Sequence, residues 1–381
     1  MNLTPILDQA IKALHDHHYD QVRDILKNVP LSAAKTPAPH SRQEQVQLMR
    51  CHYIMGEVSI FEKDFAESVK RLLEAYRLAV ELEDMETAWR SREIAGNALR
   101  EQNLPGIALE HHTWCSNFLE ENTLNASTEK QMRLYYALAL DYHALERYSE
   151  AIECYQHTIE FSRQHNNTEY LAKAYRGLAV VQYNQDNLTF TRVYAYQAIG
   201  VSETINEVDA IIRLKGGLAR ALAKHNQTDE ALYNAQEAFE LAEQTGDLPN
   251  ILTAYVNLSN VTMQAKNFEQ ALEYAQAGVA KLKKAEDSKA KVDKITAGYV
   301  FGQLAAVLNR RGREKDRNQV RKHMDKALNY LQQSPFNQYL SSMYYNYAQV
   351  LEEWGELAEA LQYIKKAVAL GYATKPPVLE F

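Results

Sequence analysis

Small and apolar residues recur along this chain at a fixed spacing that first predicts helices and then pairs them. The pattern is clearest between Glu169 and Gly246, where YLAKAYRGLAVVQYNQ and RLKGGLARALAKHNQTDEALYNAQEAFELAEQTGD obey one rule. A small residue (Ala179, Ala219) is followed twelve positions on by another (Thr191, Ala231) and seven later by a third (Ala198, Ala238). The first of these positions falls at Gly56, Gly96, Ala139, Ala179, Ala219, Ser259 and Ala348, with spacings of 40, 43, 40, 40, 40 and 89. The last interval holds one further, divergent repeat around Gly302 to Leu328. Large residues flank the small ones: Tyr135, Tyr175, Tyr255 and Tyr344 lie four before the first position. Helix backbones approach to about 8–10 Å only where the residues at the crossing are small. A period of this length therefore predicts stacked helical hairpins.

Outside the repeats the pattern changes. Residues 1–29 have apolar positions at helical spacing and are expected to form a short helix pair, and residues 30–43 (PLSAAKTPAPHSRQ) read as a proline-rich linker. Residues 44–370 are the repeat array. The last segment, 371–381, carries two prolines and cannot continue a helix. It is expected to cap the open face of the last hairpin, with dimerisation through that face as the competing outcome.

Composition agrees with an all-α protein. In 381 residues there are only 14 Gly and 9 Pro, with 46% hydrophobic and 24% charged residues. The formal charge of -7 argues against a general nucleic-acid binder. There is no secretory leader pattern and no apolar run long enough for a bilayer, so a cytoplasmic location is expected. Cys51, Cys115 and Cys154 are widely spaced, which fits neither a disulfide framework nor a zinc site.

Motifs such as ERYSEAIECYQHTI and KNFEQALEYAQAGV resemble the tetratricopeptide repeat. That repeat is usually about 34 residues, so a 40-residue period implies helices about one turn longer. The resemblance implies a right-handed superhelical solenoid of about eight hairpins with an inner groove. Long repeats of this kind, as in GEVSIFEKDFAESVKRLLEAYRLAVELEDMETAWRSREIAGNAL, are similar to those of the bacterial peptide-pheromone sensors, the Rap and RRNPP group. Kinesin light chains and signalling adaptors also use repeats of about this length. The roughly 30 residues before the linker are too short for the amino-terminal three-helix bundle of the Rap regulators. They also lack the glycine-containing turn of a helix-turn-helix.

Candidate binding chemistry lies on the first helix of each hairpin. Six positions before the small residue come Arg50, Arg90, Arg133, Lys173 and Arg213, a ladder of cations. Arg can hold a carboxylate in two hydrogen bonds, so the ladder points to an acidic ligand or one with a free carboxylate. The same cations could instead pair with acids of the neighbouring hairpins, Glu93 among them. Amides can both donate to and accept from a peptide main chain. The resemblance to the pheromone sensors implies that role for Asn97, Asn257 and Asn260, with Tyr136 among the tyrosines that could line side-chain pockets. A second charged feature is the segment from Lys281 to Lys326, with fourteen Lys or Arg against six acids. It reads as a solvated surface loop, with a docking site for an acidic partner or nucleic acid as the alternative.

No glycine-rich phosphate loop, GxSxG elbow or HExxH motif is present. His15, His17, His18, His111 and His112 are expected to be surface residues, with no metal and no cofactor. The chain is therefore expected to be a non-enzymatic interaction protein that binds a peptide or extended protein segment, as a signalling regulator of the quorum-sensing type. A structural scaffold or co-chaperone adaptor, or a regulator of response-regulator phosphorylation, is the alternative.

Overall fold

A computed structural model describes residues 4–16, 18–26, 41–121 and 127–370. The expected linker, apart from residues 41–43, and the whole tail at 371–381 lie outside these residues, as does His17. The described residues form eighteen helices and no strand. They divide into two compact units, Met1–Phe161 and Ser162–Phe381.

The first unit contains α1 (Thr4–His15), α2 (Tyr19–Leu26), α3 (Arg42–Phe61), α4 (Phe65–Glu81), α5 (Met85–Glu101), α6 (Pro105–Glu121), α7 (Thr128–Ala144) and most of α8 (Tyr148–Gln164). Leu7, Ala10, Leu14 and Val22 of α1 and α2 share a core with Cys51, Ile54 and Val58 of α3. A capping box starts α3: the Ser41 hydroxyl accepts from the Glu44 amide, and the Glu44 carboxylate accepts from the Ser41 amide.

The second unit runs through α9 (Thr168–Asn184), α10 (Leu188–Thr204), α11 (Val208–Lys224), α12 (Thr228–Thr245), α13 (Leu248–Gln264), α14 (Phe268–Asp287), α15 (Lys294–Arg311), α16 (Arg317–Leu331), α17 (Asn337–Glu353) and α18 (Leu357–Ala369). Successive helices pair as antiparallel hairpins, and neighbouring hairpins stack. From α3 to α18 this gives eight hairpins.

Most of these helices are 17 residues long and joined by three residues, so the chain turns over every 20. The links share one device. The residue before the next cap sits in the left-handed region, as at Lys63, Glu83, Asn103, Glu146, Asn166, Asp186, Asn206, Asn226, Gly246 and Lys266. At the first link the Lys63 amide donates to the Ile60 carbonyl (2.9 Å) and the Asp64 amide to the Ser59 carbonyl (2.8 Å), which closes α3. The Asp64 carboxylate then accepts from the Glu67 amide (3.1 Å) and opens α4. One residue thus ends one helix and caps the next. Asp84, Asn167, Asn187 and Asn267 cap the following helices in the same way.

The small positions are where helices touch. A Cβ on Gly56 would lie 2.6 Å from Leu72, and one on Gly96 would lie 2.6 Å from His112. Ala139, Ala179, Ala219, Ser259 and Ala348 are all buried. The divergent repeat keeps this packing with a longer connection. α15 reaches Arg311 and a 3-10 turn at Glu314–Asp316 precedes α16. Val320, 18 positions after Gly302, therefore takes the place filled elsewhere twelve positions on, and Ala327 keeps its spacing of seven. Among the described residues no helix is long and apolar enough to cross a membrane.

Left-handed backbone costs a non-glycine residue about 1–2 kcal/mol, part of which glycine gives back as lost chain freedom. Lys266→Gly is therefore expected to stabilise the fold by about 0.5–1 kcal/mol, and Gly246→Ala to destabilise it by about 1 kcal/mol. Urea unfolding midpoints of the two variants would check this.

Candidate functional site

In the first unit the first helices of the hairpins are α3, α5 and α7, and their polar side chains meet across the stack. Arg133 grips Glu93 with two hydrogen bonds, 3.0 Å from Nε and 2.5 Å from Nη2, and Glu93 is only 2% exposed. The carbonyl of Glu93 lies 3.1 Å from His112 Nε2, while His112 Nδ1 faces the Asp141 carboxylate. Asp141 also accepts from Arg100 (2.9 Å), and Arg100 donates to the Asn97 side chain (2.8 Å). Arg133 and Asn97 thus belong to one network across α5, α6 and α7.

The other ladder positions here are also paired. Arg50 lies 2.6 Å from Asp8 of α1, and Arg90 lies 3.5 Å from Glu86 one turn earlier. Arg90 also opposes the effect of burial and Glu57 on Tyr53, whose hydroxyl is pushed well above its ordinary range. Tyr136 packs at a tilt against Tyr155, with ring centres 6.1 Å apart.

In the second unit the first helices α9, α11, α13 and α15 run side by side, and four of their side chains converge. Arg220 donates to Asn257 (2.8 Å), which is 2% exposed, and the phenols of Tyr183 and Tyr299 lie close enough to act on its charge. Burial pushes the Arg220 guanidinium below its ordinary value, opposed by the two tyrosines. The Asn257 amide lies directly over Gly216, where a Cβ would sit 2.2 Å from Nδ2. Only a glycine at 216 lets it reach Arg220.

Lys173 pairs with Glu169 one turn before it and lies over the Tyr170 ring. Arg213 and Arg176 are half-buried and have no carboxylate within ion-pair distance among the described residues. Asn260 is half-buried on α13, one turn beyond Asn257. Sequence reasoning did not select Arg220 or Arg176. Both lie on the face it defined, at one after and three before the small position, so the signal was present.

Part of the basic segment is engaged within the fold. Arg311 pairs with Asp316 (2.7 Å), Arg313 with Glu269 (2.8 Å), and Arg321 with Glu356 and Glu359. Arg317 and Arg321 also lie over the Trp354 ring. His111 and His112 are corrected by the structure: they are 8% and 0% exposed. They face the partner helices α5 and α7 rather than solvent, and His112 is fixed by the network above. The three cysteines are free and buried, and burial pushes the Cys51 thiol up to about 11, which keeps it protonated. Among the described residues no group of His, Cys, Asp or Glu could hold a metal ion.

Removing one partner of a buried ion pair strands the other's charge. Asp141→Ala is expected to cost about 3–5 kcal/mol in urea unfolding, because it leaves both Arg100 and His112 without their acid. Lys173→Ala, which removes a surface pair, is expected to cost at most about 0.5 kcal/mol. His111 and His143 give a pH dependence. Burial, with Arg92 and His112 adding to it, lowers His111 to about 4, and burial lowers His143 to about 4. The unfolded chain takes up these protons first, near its ordinary value of about 6.5. Their contribution is full above that value and is lost as pH falls toward 4. Thermal midpoints between pH 7 and pH 5 should fall, and the double variant His111→Gln, His143→Gln should fall less steeply.

The tetratricopeptide repeat family model matches residues 133–165 and 341–370. No curated protein sequence matches the chain. Among solved structures, the apo quorum sensor NprR from B. thuringiensis is similar at 16% identity and TM-score 0.55, with 97% of this chain and 99% of that chain covered. A Rap protein complexed with competence and sporulation factor is similar at 11% identity and TM-score 0.57, covering 97% of each chain. Aspartyl phosphate phosphatase F from Bacillus subtilis is similar at 11% identity and TM-score 0.58, covering 100% of this chain and 96% of that one. The chain thus carries tetratricopeptide repeats in an all-α stack, and its fold is similar to that of the Rap and NprR proteins.

Proposed function

We propose that this protein binds an extended peptide, or an extended segment of a partner protein, across the first helices of its hairpins and acts as a peptide-responsive regulator. The observation that carries this reading is the convergence of Tyr183, Arg220, Asn257 and Tyr299 from four successive first helices. An extended peptide exposes a donor and an acceptor at every residue, which the amides of Asn257 and Asn260 match. Arg176, Arg213 and Arg220 offer the same face cationic charge, which suits a ligand with acidic side chains or a free carboxylate. Lys173, already engaged by Glu169, contributes by exchanging that partner for ligand. The fold comparison supports the class, since it includes a protein named as a quorum sensor and one named as complexed with a competence and sporulation factor.

Each hairpin of a repeat array touches only its neighbours, so a ligand bridging four first helices biases the angle at each junction it spans. That is the route from binding to regulation.

Selection of random dodecapeptides with free carboxyl ends against the full chain, followed by calorimetric titration of those recovered, tests the proposal. Arg220→Ala is expected to weaken binding about 10–100-fold, the worth of a hydrogen bond to a charged group. Arg213→Ala and Asn260→Ala should each weaken it less. Equal affinities for wild type and all three variants would remove this face from the ligand site.

A further inference from the structure

A cleft lies in the first unit beside the network described above, on α5 and α6. It has a volume of about 560 Å³, within the range of about 300–1,000 Å³ for ligand sites. One wall is a stripe along α6, Gly106, Leu109, Glu110, Thr113, Trp114 and Asn117, and Arg92 of α5 stands at the other side.

Arg92 is the exception among the ten arginines of this unit. The other nine each have a carboxylate or a carbonyl: Arg42 donates to the Leu82 carbonyl, and Arg23, Arg50, Arg71, Arg77, Arg90, Arg100, Arg133 and Arg147 pair with acids. Among the described residues Arg92 has no ion pair, and its Nε is buried without a hydrogen-bond partner. Its guanidinium lies instead near two rings, 5.2 Å from the centre of Tyr76 and 4.9 Å from that of Trp114. Those rings are themselves fixed. Trp114 meets Tyr76 edge-on at 5.5 Å and stacks on Phe118 at 5.7 Å.

A guanidinium held beside aromatic rings keeps its charge, and the Nη donors of Arg92, which have no ion pair among the described residues, can meet a planar oxyanion. We infer that this cleft is a binding site for a peptide carboxylate, with Arg92 as the anion clamp and Trp114 as the platform for the apolar part of the residue that bears it. Thr113 and Asn117 supply neutral polar contacts beside it. Inorganic phosphate lacks the apolar part that Trp114 would hold, so the cleft favours a peptide carboxylate over it. The site is independent of the face formed by Arg220 and Asn257, so either assignment can fail without the other.

Gly106 supplies a clean block. A Cβ there would meet nothing within 4 Å, so a larger side chain is accommodated by the fold and enters the cleft. The experiment follows the Trp114 indole N–H resonance of the full chain, assigned with Trp114→Phe. Three probes are titrated: N-acetyl-Leu-Leu with a free carboxylate, the same dipeptide as its amide, and amidated N-acetyl-Leu-Asp-Leu. Inorganic phosphate is the fourth arm. Saturable shifts with the free acid identify a chain terminus as ligand, and shifts with the aspartyl peptide identify an acidic side chain. The dipeptide amide and phosphate should bind at least tenfold more weakly. Arg92→Gln and Gly106→Phe should each weaken the carboxylate by at least tenfold while their circular dichroism melting curves match wild type. Equal response to acid and amide, tighter binding of phosphate, no response to either carboxylate, or an unchanged affinity in Arg92→Gln with its fold intact would each overturn the assignment.

Discussion

Close approach of helices at the small positions is the constraint on which the rest depends. Gly56 against Leu72 and Gly96 against His112 leave no room for even a methyl group. A side chain there would push the two helices of a hairpin apart and with them every contact to the next hairpin, since each repeat is held by its neighbours. The three-residue links serve the same end. A left-handed residue every 20 positions fixes where each helix stops, which keeps the small residues of successive hairpins in register. Several of those residues are Lys or Glu, which take that conformation at a cost, and the stack is stable enough to hold them there.

Once the hairpins are in register, polar side chains on first helices meet partners about one repeat away. Arg133 reaches Glu93, Arg100 reaches Asp141, Arg220 reaches Asn257 and Asn250 reaches Asp209, with separations of 40, 41, 37 and 41 residues. The chemistry of each link decides what is left over. An Arg held by a buried carboxylate has its charge matched, and pulling it away exposes an acid that cannot easily stay charged in the interior. An Arg held by an amide keeps most of its charge available, because an amide offers a dipole rather than an opposite charge. Arg133 meets a buried carboxylate and Arg220 a buried amide, although both lie on the corresponding helix of their hairpins.

The stack was legible in the sequence because packing at a crossing admits few residue types and therefore leaves a strict period. The helix lengths were legible too, as the excess of six residues over the usual repeat becomes one more turn for each helix. The cation ladder was equally periodic, yet its partners were hidden. Glu93 was named among the acids of neighbouring hairpins, but which cation it meets, Arg133 from the next hairpin, was not readable, since an ion pair depends on rotamers and on the angle between helices. His111 and His112 were misplaced for a related reason. Their burial follows from Gly96, whose missing side chain makes the space that His112 fills, and nothing near the histidines themselves in sequence announces it.

Arg220 and Arg92 illustrate how a repeat protein acquires sites without departing from its packing rule. The crossing residues are committed, but the positions beside them vary from hairpin to hairpin at little structural cost. In α11 a glycine at 216 lets Asn257 come near enough to bond Arg220, and in α6 a glycine at 106 opens the wall facing Arg92. Neither position carries a side chain: at 216 the Asn257 amide fills the space and bonds Arg220, and at 106 the space is open on the wall facing Arg92, which lies near the Tyr76 and Trp114 rings. Amides and aromatic faces position a guanidinium nearly as well as an acid does, and they do not neutralise it. A guanidinium set against an amide over one glycine, or near two aromatic rings across from another, is what distinguishes these two places from the many arginines that tie one hairpin to the next.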